Sequence, residues 1–151
     1  MRDAIEELLV DYAEAIDDGL LESWPGFFTE DGEYQIITRA SHDAGLPIGL
    51  LYCDSRGMME DRINALRTAN IYEPHAYRHL LGRSRIEAQG DGFQVRSNFC
   101  VFRIAQDGDT ITFATGRYLD RIVRDGDRLR FRSRRVVLDS RRVDILLVLP
   151  L

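Results

Sequence analysis

Three Asp-Gly dipeptides divide the second half of the chain into long runs of strand-forming residues: Asp91-Gly92, Asp107-Gly108 and Asp125-Gly126. An Asp-Gly pair between two such runs is the strongest short-range signal for a β-hairpin. The sequence therefore predicts an antiparallel meander, with strands over about Tyr77–Glu87, Phe93–Ile104, Thr110–Val123 and Leu129–Leu138. Strands of this length twist and curl, so the sheet has a concave side that a second layer must cover.

The first part of the chain supplies that second layer as helices. Apolar residues recur at helical spacing over about residues 4–17, which predicts a first helix. Asp3 and Glu6 form a capping-box pattern at its start, and Gly19 is a glycine of the kind that ends a helix. A second, short helix is predicted over Leu20–Phe28.

A turn, two strands and a loop separate these helices from a third. In chain order they are a turn at Glu30-Asp31-Gly32, a strand over Tyr34–Thr38, a loop over Ser41–Pro47 and a strand over Ile48–Cys53. The third helix is capped by Asp54 or Ser55 and directs four residues inward: Met58, Met59, Ile63 and Leu66. Helices followed by a meander are typical of an α+β domain. We therefore expect a cone, in which N-terminal helices close a curved antiparallel sheet.

Length, composition and charge exclude several classes of protein. The 151 residues fit a single domain over residues 1–151, and a hydrophobic content of 44% excludes a disordered chain. The net charge of −5 argues against nucleic-acid binding, which usually needs a basic face. No apolar run approaches the roughly 20 residues of a membrane span, and the start of the chain lacks a signal-peptide layout. We therefore expect a cytoplasmic protein without a membrane partner.

Charge is divided unevenly along the chain. Residues 1–80 contain 6 Arg and 16 acidic residues, whereas residues 81–151 contain 14 Arg and 9 acidic residues, and Lys is absent. In a regular strand, the most basic segment would place four arginines on one face: Arg128, Arg130, Arg132 and Arg134. We expect acidic residues of the first half, or of a neighbouring subunit, to pair with them.

We expect no metal site among the cysteines and histidines. Cys53 and Cys100 are too few for a disulfide framework, a four-cysteine cluster or a Rieske centre. His75 and His79 are four residues apart, but Pro74 precedes and strand-like residues follow. Four residues along a strand span roughly 13 Å, too far to share an ion.

Three polar residues are candidates for the lining of a cavity inside the cone. Tyr34, Asp31 and Tyr118 together would resemble the carboxylate and phenol set of cone-shaped steroid isomerases. Asp31, however, lies in a Glu-Asp-Gly sequence that favours a surface turn. The turn is the better interpretation.

Several segments carry a family resemblance: Trp24–Tyr34, Asp54–Arg67 and Ala69–His79, with the shorter Gly116–Asp120, Asp139-Ser140 and Leu149–Leu151. They resemble the small (β) subunit of aromatic-ring-hydroxylating Rieske dioxygenases along nearly the whole chain. Within that family the chain looks most similar to the terephthalate type, with the anthranilate and salicylate types as relatives.

The resemblance implies a fold, an assembly and a role. It implies an NTF2-like cone and an α3β3 hexamer with a large α subunit and further copies of this chain as partners. The α subunit would hold the Rieske [2Fe–2S] cluster, the mononuclear Fe(II) and the aromatic substrate, and NADH would supply electrons through a reductase. The β subunit of this family is structural, so the resemblance implies no catalytic, cofactor-binding or metal residue in this chain.

One segment is predicted to face the α subunit. It is Arg56–His79, which is rich in Arg, Tyr and His, and its proposed contacts are Arg62, Tyr72, Tyr77 and Arg78. The apolar stretch Ile145–Leu151 is expected to dock on a neighbour or on its own sheet. Two alternatives remain at this point: a stand-alone NTF2-like isomerase or dehydratase, and a module that binds a small aromatic ligand.

Overall fold

A seven-stranded sheet forms the framework of the protein. The structure is a computed structural model, and it describes residues 1–47, 49–69, 75–140 and 150–151. The strands are β1 (Phe28–Thr38), β2 (Leu51–Cys53), β3 (His75–Leu81), β4 (Arg85–Gln89), β5 (Gly92–Ala105), β6 (Thr110–Asp125) and β7 (Arg128–Leu138). Their order across the sheet is β2-β1-β7-β6-β5-β3, and β4 pairs with the first part of β5. Only β1 and β7 run parallel among these described pairings.

The helices cover one face of this sheet. They are α1 (Arg2–Asp17), a 3-10 helix (Leu21–Phe27), α2 (Arg39–Asp43) and α3 (Arg56–Ala69). The apolar stripe of α1 packs into one core with the buried side chains of the strands, of which Tyr34, Val101 and Phe131 are fully enclosed. We call this covered side the inner face of the sheet and the other side the outer face. The predicted α+β cone is confirmed.

Most predicted elements are present, with corrections at their ends. The capping box at Asp3 is wrong, because α1 begins at Arg2 and Asp3 lies inside its first turn without a side-chain cap. The Ser55 cap of α3 is confirmed, since its hydroxyl accepts from the Met58 N–H at 3.2 Å. Met58 itself is not an inward residue, because it is 45% exposed.

The predicted turn at Glu30-Asp31-Gly32 is a bulge within β1. Phe28 pairs with Phe131 and Glu33 with Ser133, so four residues of β1 stand opposite a single residue of β7. The predicted loop Ser41–Pro47 is also partly helical, because α2 begins at Arg39 and the Thr38 hydroxyl caps it at the Ser41 N–H. In both cases polar residues that were expected to form a turn or a loop belong to a strand or a helix instead.

The three hairpins are confirmed, but two of the tight turns are shifted by one residue. The residues in the turns are Gly90-Asp91 and Gly126-Asp127, and Gly90, Gly108 and Gly126 have φ of 59°, 92° and 68°. Gly92 belongs to β5, where a Cβ atom would lie 2.4 Å from the Ile122 carbonyl oxygen. The predicted strand Tyr77–Glu87 is divided into β3 and β4 at residues 82–84, and both halves pair with β5.

None of the helices in the described part of the chain combines the length and the apolar character that a membrane span requires.

Candidate functional site

A buried ion pair lies at the centre of the inner face. Asp120 of β6 and Arg134 of β7 are directly opposite in the strand register. Arg134 Nε and Nη2 donate to the two carboxylate oxygens of Asp120, both at 2.8 Å. Arg134 is 2% exposed and Asp120 is 5% exposed. This is the forked geometry that a guanidinium and a carboxylate share when they recognise each other as planar groups.

A bulge in β7 turns Arg134 inward. Phe131 pairs with Ile122 and Ser133 pairs with Arg121, so Arg132 is an extra residue without an opposite partner on β6. One extra residue reverses which face the following side chains occupy. The predicted stripe of four arginines on one face is therefore wrong, because Arg134 lies on the face opposite to Arg132.

Three aromatic rings surround the Arg134 guanidinium. Its Cζ atom lies 3.7 Å from the ring centroid of Tyr118, 4.3 Å from that of Tyr12 and 4.4 Å from that of Phe131. The faces of the rings attract the cation and replace part of the water that burial removes. The cage therefore fills the middle of the inner face of the sheet.

The pKa values of the pair reflect these surroundings. Burial raises the pKa of Asp120, and the charge and hydrogen bonds of Arg134 oppose that rise. Burial lowers the pKa of Arg134, but the Asp120 charge outweighs it, so the pKa of the guanidinium lies above its usual range. A carboxyl with a raised pKa can act as a general acid or base. Here both carboxylate oxygens accept from Arg134, so the geometry favours a structural ion pair.

Leu151 fills the adjoining space beneath two tyrosines. Tyr12 Oη donates to the Leu151 backbone oxygen at 2.8 Å, and Tyr34 Oη donates to the same oxygen at 3.0 Å. The Leu151 N–H donates to Tyr34 Oη at 2.9 Å, and Trp24 Nε1 donates to Tyr12 Oη at 3.0 Å. Burial raises the pKa of both tyrosines. Leu151 is itself fully buried, so part of the predicted apolar stretch docks on its own chain; residues 145–149 lie outside the described residues.

The three candidate cavity residues do not come together. Tyr34 and Tyr118 are enclosed in the core. The Asp31 side chain lies on the β1 bulge, 73% exposed, with Arg132 Nε 3.4 Å from its carboxylate. The carboxylate nearest to Tyr118 in the strand pattern is instead Asp120, two residues farther along the same face. The period-two pattern of β6 is the signal that would have identified it.

A second buried pair joins α1 to β3. His79 Nδ1 lies 2.6 Å from Asp17 Oδ1, and the His79 backbone N–H donates to Asp17 Oδ2 at 2.9 Å. The pair fixes the last turn of α1 against the edge of the sheet. His75 and His79 lie on one strand, as predicted, and no group of three or more metal-ligating side chains occurs within the described ranges.

The predicted interface residues have different positions. Arg62 is half-buried on α3. Burial raises the pKa of the Cys53 thiol, and the charge of Arg62 opposes that rise. Tyr77 is a core residue, 2% exposed and stacked on Phe113 at 5.3 Å, so its side chain is not available to a partner. Its position on the inner face of β3 is the reason. Arg78 faces outward with a side chain that is 65% exposed. Tyr72 lies outside the described residues.

Sequence reasoning missed an apolar patch beside Arg78. Leu80 is 56% exposed, and on the outer face it lies opposite the half-buried Cys100, as Arg78 lies opposite the half-buried Phe102. With Ile104, these residues form what we call the edge patch: Arg78, Leu80, Cys100, Phe102 and Ile104. The patch lies along β3, which ends the sheet on this side. Outward apolar residues at a sheet edge are typical of a surface that a partner covers.

Comparisons with known proteins agree with this geometry. Residues 12–144 match the family model described as ring hydroxylating beta subunit. The chain is 45% identical over 142 residues to the terephthalate 1,2-dioxygenase terminal oxygenase component subunit beta 2 of Comamonas sp, covering 93% of this chain and 92% of the relative. It is 40% identical over 141 residues to the anthranilate 1,2-dioxygenase small subunit of Burkholderia cepacia, covering 93% and 88%.

Solved structures show the same fold. A crystal structure named as the beta subunit of an aromatic-ring-hydroxylating dioxygenase from Novosphingobium aromaticivorans superposes with a TM-score of 0.88 at 38% identity, covering 98% of this chain and 94% of that chain. An NTF2-like protein from the same organism superposes with a TM-score of 0.69 at 22% identity, covering 99% and 89%, and that likeness concerns the fold alone. The chain therefore belongs to the family of ring-hydroxylating dioxygenase β subunits.

Proposed function

We propose that this chain is a non-catalytic structural subunit of an α3β3 Rieske dioxygenase. The observation that carries the proposal is the filled interior: the Asp120–Arg134 pair, its aromatic cage and Leu151 occupy the centre of the cone. An NTF2-like enzyme needs that space for a substrate. Here Asp120, Arg134 and the hydroxyls of Tyr12 and Tyr34 contact other parts of the same chain instead.

In this proposal the chemistry belongs to the large subunit. The Rieske cluster and the mononuclear iron would lie there, and with electrons from NADH, delivered by a reductase, they would supply the addition of both oxygen atoms of dioxygen to the ring as a cis-diol. This chain would hold the large subunits in register. NADH-dependent electron supply also favours a cytoplasmic location for the assembly. The identity to terephthalate and anthranilate dioxygenase subunits supports an aromatic carboxylate as substrate, with terephthalate first.

The edge patch and Arg62 form the proposed contact with the large subunit. Arg78 offers a forked cation next to the exposed Leu80 and the half-buried Phe102, and such a combination of arginine and apolar surface is typical of interface centres. Arg62 and Tyr72 remain proposed contacts from the neighbouring segment. Tyr77 leaves the proposal because it is buried.

The experiment is co-expression with a large subunit whose sequence has the Cys-x-His and Cys-x-x-His spacing of a Rieske centre. We expect the two chains to co-purify, and we expect the complex with its reductase to oxidise terephthalate and to test positive for a cis-diol. The isolated chain should be colourless, without stoichiometric iron, and inactive. Anthranilate and benzoate are the comparison substrates. Turnover by the isolated chain, or about one iron bound per isolated chain, would contradict the proposal.

A stand-alone isomerase or a ligand-binding module is not favoured by any specific contact. Either would need an open cavity on the inner face with a polar group directed into it. Both buried carboxylates in the described part of the chain are already engaged: the oxygens of Asp120 accept from Arg134, and those of Asp17 contact His79.

A further inference from the structure

An arginine-lined cleft lies on the outer face of the sheet, away from the helices. It has a volume of about 430 Å³, and its floor is formed by β1, β4, β5, β6 and β7. Arg85 of β4 and Arg96 of β5 lie directly opposite each other across the two strands, and both are exposed. Glu33 and Glu87 also line the cleft, but four outward arginines outnumber them. We call the surface around Arg85, Arg96, Arg121 and Arg135 the arginine cleft.

Arg85 and Arg96 lack an acidic partner in the described part of the chain. No described carboxylate lies within ion-pair distance of either guanidinium, whereas the neighbouring Arg121 contacts Asp91 at 2.9 Å. Like charges directly opposite each other in a sheet are destabilising. An acidic group of another molecule would therefore stabilise the surface of β4 and β5 where these two arginines meet.

Helix α1 has a row of exposed carboxylates, and a second copy of the chain could supply them to the arginine cleft. Five carboxylates occur at spacings of three and four residues along the exposed side of α1 and at its C-cap, Asp18, which places them within one narrow arc: Asp3, Glu7, Asp11, Glu14 and Asp18. We call them the acidic stripe. Within the described ranges none of the five forms an ion pair, although Arg2 pairs with Glu6 at 3.3 Å on the same helix. Like charges four residues apart on a helix repel each other.

The fold keeps the two surfaces apart within one chain. The apolar side of α1 packs on the inner face of the sheet, so the acidic stripe points away from it, and the arginine cleft lies on the outer face. The start of α1 does touch the connection before β4, because Arg2 donates to the Ser84 carbonyl at 3.1 Å. Even there, no carboxylate of the stripe approaches Arg85 or Arg96 to ion-pair distance.

We propose that the acidic stripe of one copy docks in the arginine cleft of the next copy. This inference rests on the proposed assembly and names one of its contacts. Because the two surfaces differ, the contact is heterologous, and a heterologous contact closes into a ring when the rotation between neighbours permits it. In a ring of three copies related by a three-fold axis, each acidic stripe would contact the arginine cleft of the next copy. The large subunit would then contact the edge patch, which lies at a different part of the sheet.

Charge reversal on each surface tests the contact. The cleft variant carries Arg85→Glu and Arg96→Glu, and the helix variant carries Glu7→Arg, Asp11→Arg and Glu14→Arg. A control variant reverses Arg128, an exposed arginine outside the cleft, to Glu. Sedimentation of the isolated full chain gives the self-association constant, and far-UV circular dichroism checks the fold. Wild-type association should weaken with added salt.

The expected pattern of association is specific to this contact. The cleft variant and the helix variant should each associate about tenfold or more weakly than wild type. The chain that combines both sets of substitutions should recover association, because the charges are exchanged and remain complementary. The Arg128→Glu control should associate like wild type.

Three outcomes would overturn the inference. They are a wild-type chain that stays monomeric at the highest concentration reached, reversal variants that associate normally, or a combined variant that stays dissociated. Loss of co-purification with the large subunit in wild type would instead contradict the proposed function. The two failures are therefore distinguishable.

Discussion

Asp120 and Arg134 face each other across two neighbouring strands, with both hydrogen bonds at 2.8 Å and neither residue more than 5% exposed. Removing a charged group from water costs free energy that only a well-matched partner offsets. Because each member of this pair satisfies the other, the loss of one leaves an uncompensated charge at the centre of the core.

Asp120→Asn should therefore destabilise the fold strongly. Breaking a buried pair by removal of one partner typically costs about 3–5 kcal/mol. The measurement is the free energy of unfolding in urea. Asp91→Asn is the matched control, because it removes the exposed carboxylate that pairs with Arg121 at 2.9 Å, and an exposed pair contributes about 0–1 kcal/mol. Equal effects of the two substitutions would contradict a buried pair.

The buried tyrosines should make the protein sensitive to alkali. Burial raises the pKa of Tyr12, Tyr34 and Tyr118. Above their ordinary pKa of about 10 the unfolded chain loses these protons while the folded chain keeps them. The unfolded state then binds fewer protons, so stability falls as the pH rises. Each tyrosine contributes a slope of about 1.4 kcal/mol per pH unit in that range.

Urea unfolding between pH 9 and pH 11.5 checks this slope. The share of the tyrosinate absorbance that belongs to the three buried tyrosines should appear together with unfolding and not before it. Tyr34→Phe should reduce the alkaline slope by about a third, since one of the three groups is removed. An unchanged slope would mean that Tyr34 ionises equally in both states.

Leu151→Ala should cost about 2–5 kcal/mol, the usual range for truncating a fully buried leucine. The leucine is 0% exposed, and its backbone contacts two tyrosine hydroxyls. Leu46→Ala is the control, because Leu46 is 52% exposed. Thermal unfolding of both variants gives the comparison. A melting temperature like that of wild type for Leu151→Ala would show that the interior does not depend on this residue.

Arg78→Ala and Leu80→Asp should weaken binding of the large subunit. If Arg78 pairs with a carboxylate there, its truncation should cost about 2–5 kcal/mol of association. Titration of the large subunit with each variant measures this, and Leu46→Asp is the control at another exposed leucine. The isolated variants should melt like wild type. If Arg78→Ala binds normally but melts much earlier, Arg78 belongs to the internal framework through Asp17, whose Oδ2 lies 3.9 Å from its Nη1.

Many of the helices and strands could be predicted from the sequence because they depend on local patterns. Apolar spacing in α1 and the Asp-Gly pairs between the later strands depend on residues that are near each other in the chain. The outward position of Arg78 and the inward position of Tyr77 also follow from the alternation of a strand. That alternation is present in the sequence, yet residue type alone made Tyr77 a predicted contact.

The family and the β-subunit role were likewise recognisable from the sequence, because segments spread over nearly the whole chain resemble one family. The tertiary structure decided the interior. A single extra residue at Arg132 moved Arg134 off the face that it was predicted to share with Arg128, Arg130 and Arg132, and into the core opposite Asp120. Leu151 reached Tyr12 and Tyr34 from more than 100 positions away. No local pattern reports a bulge or a contact across such a distance, because both depend on how whole strands pair and on what fills the space between them.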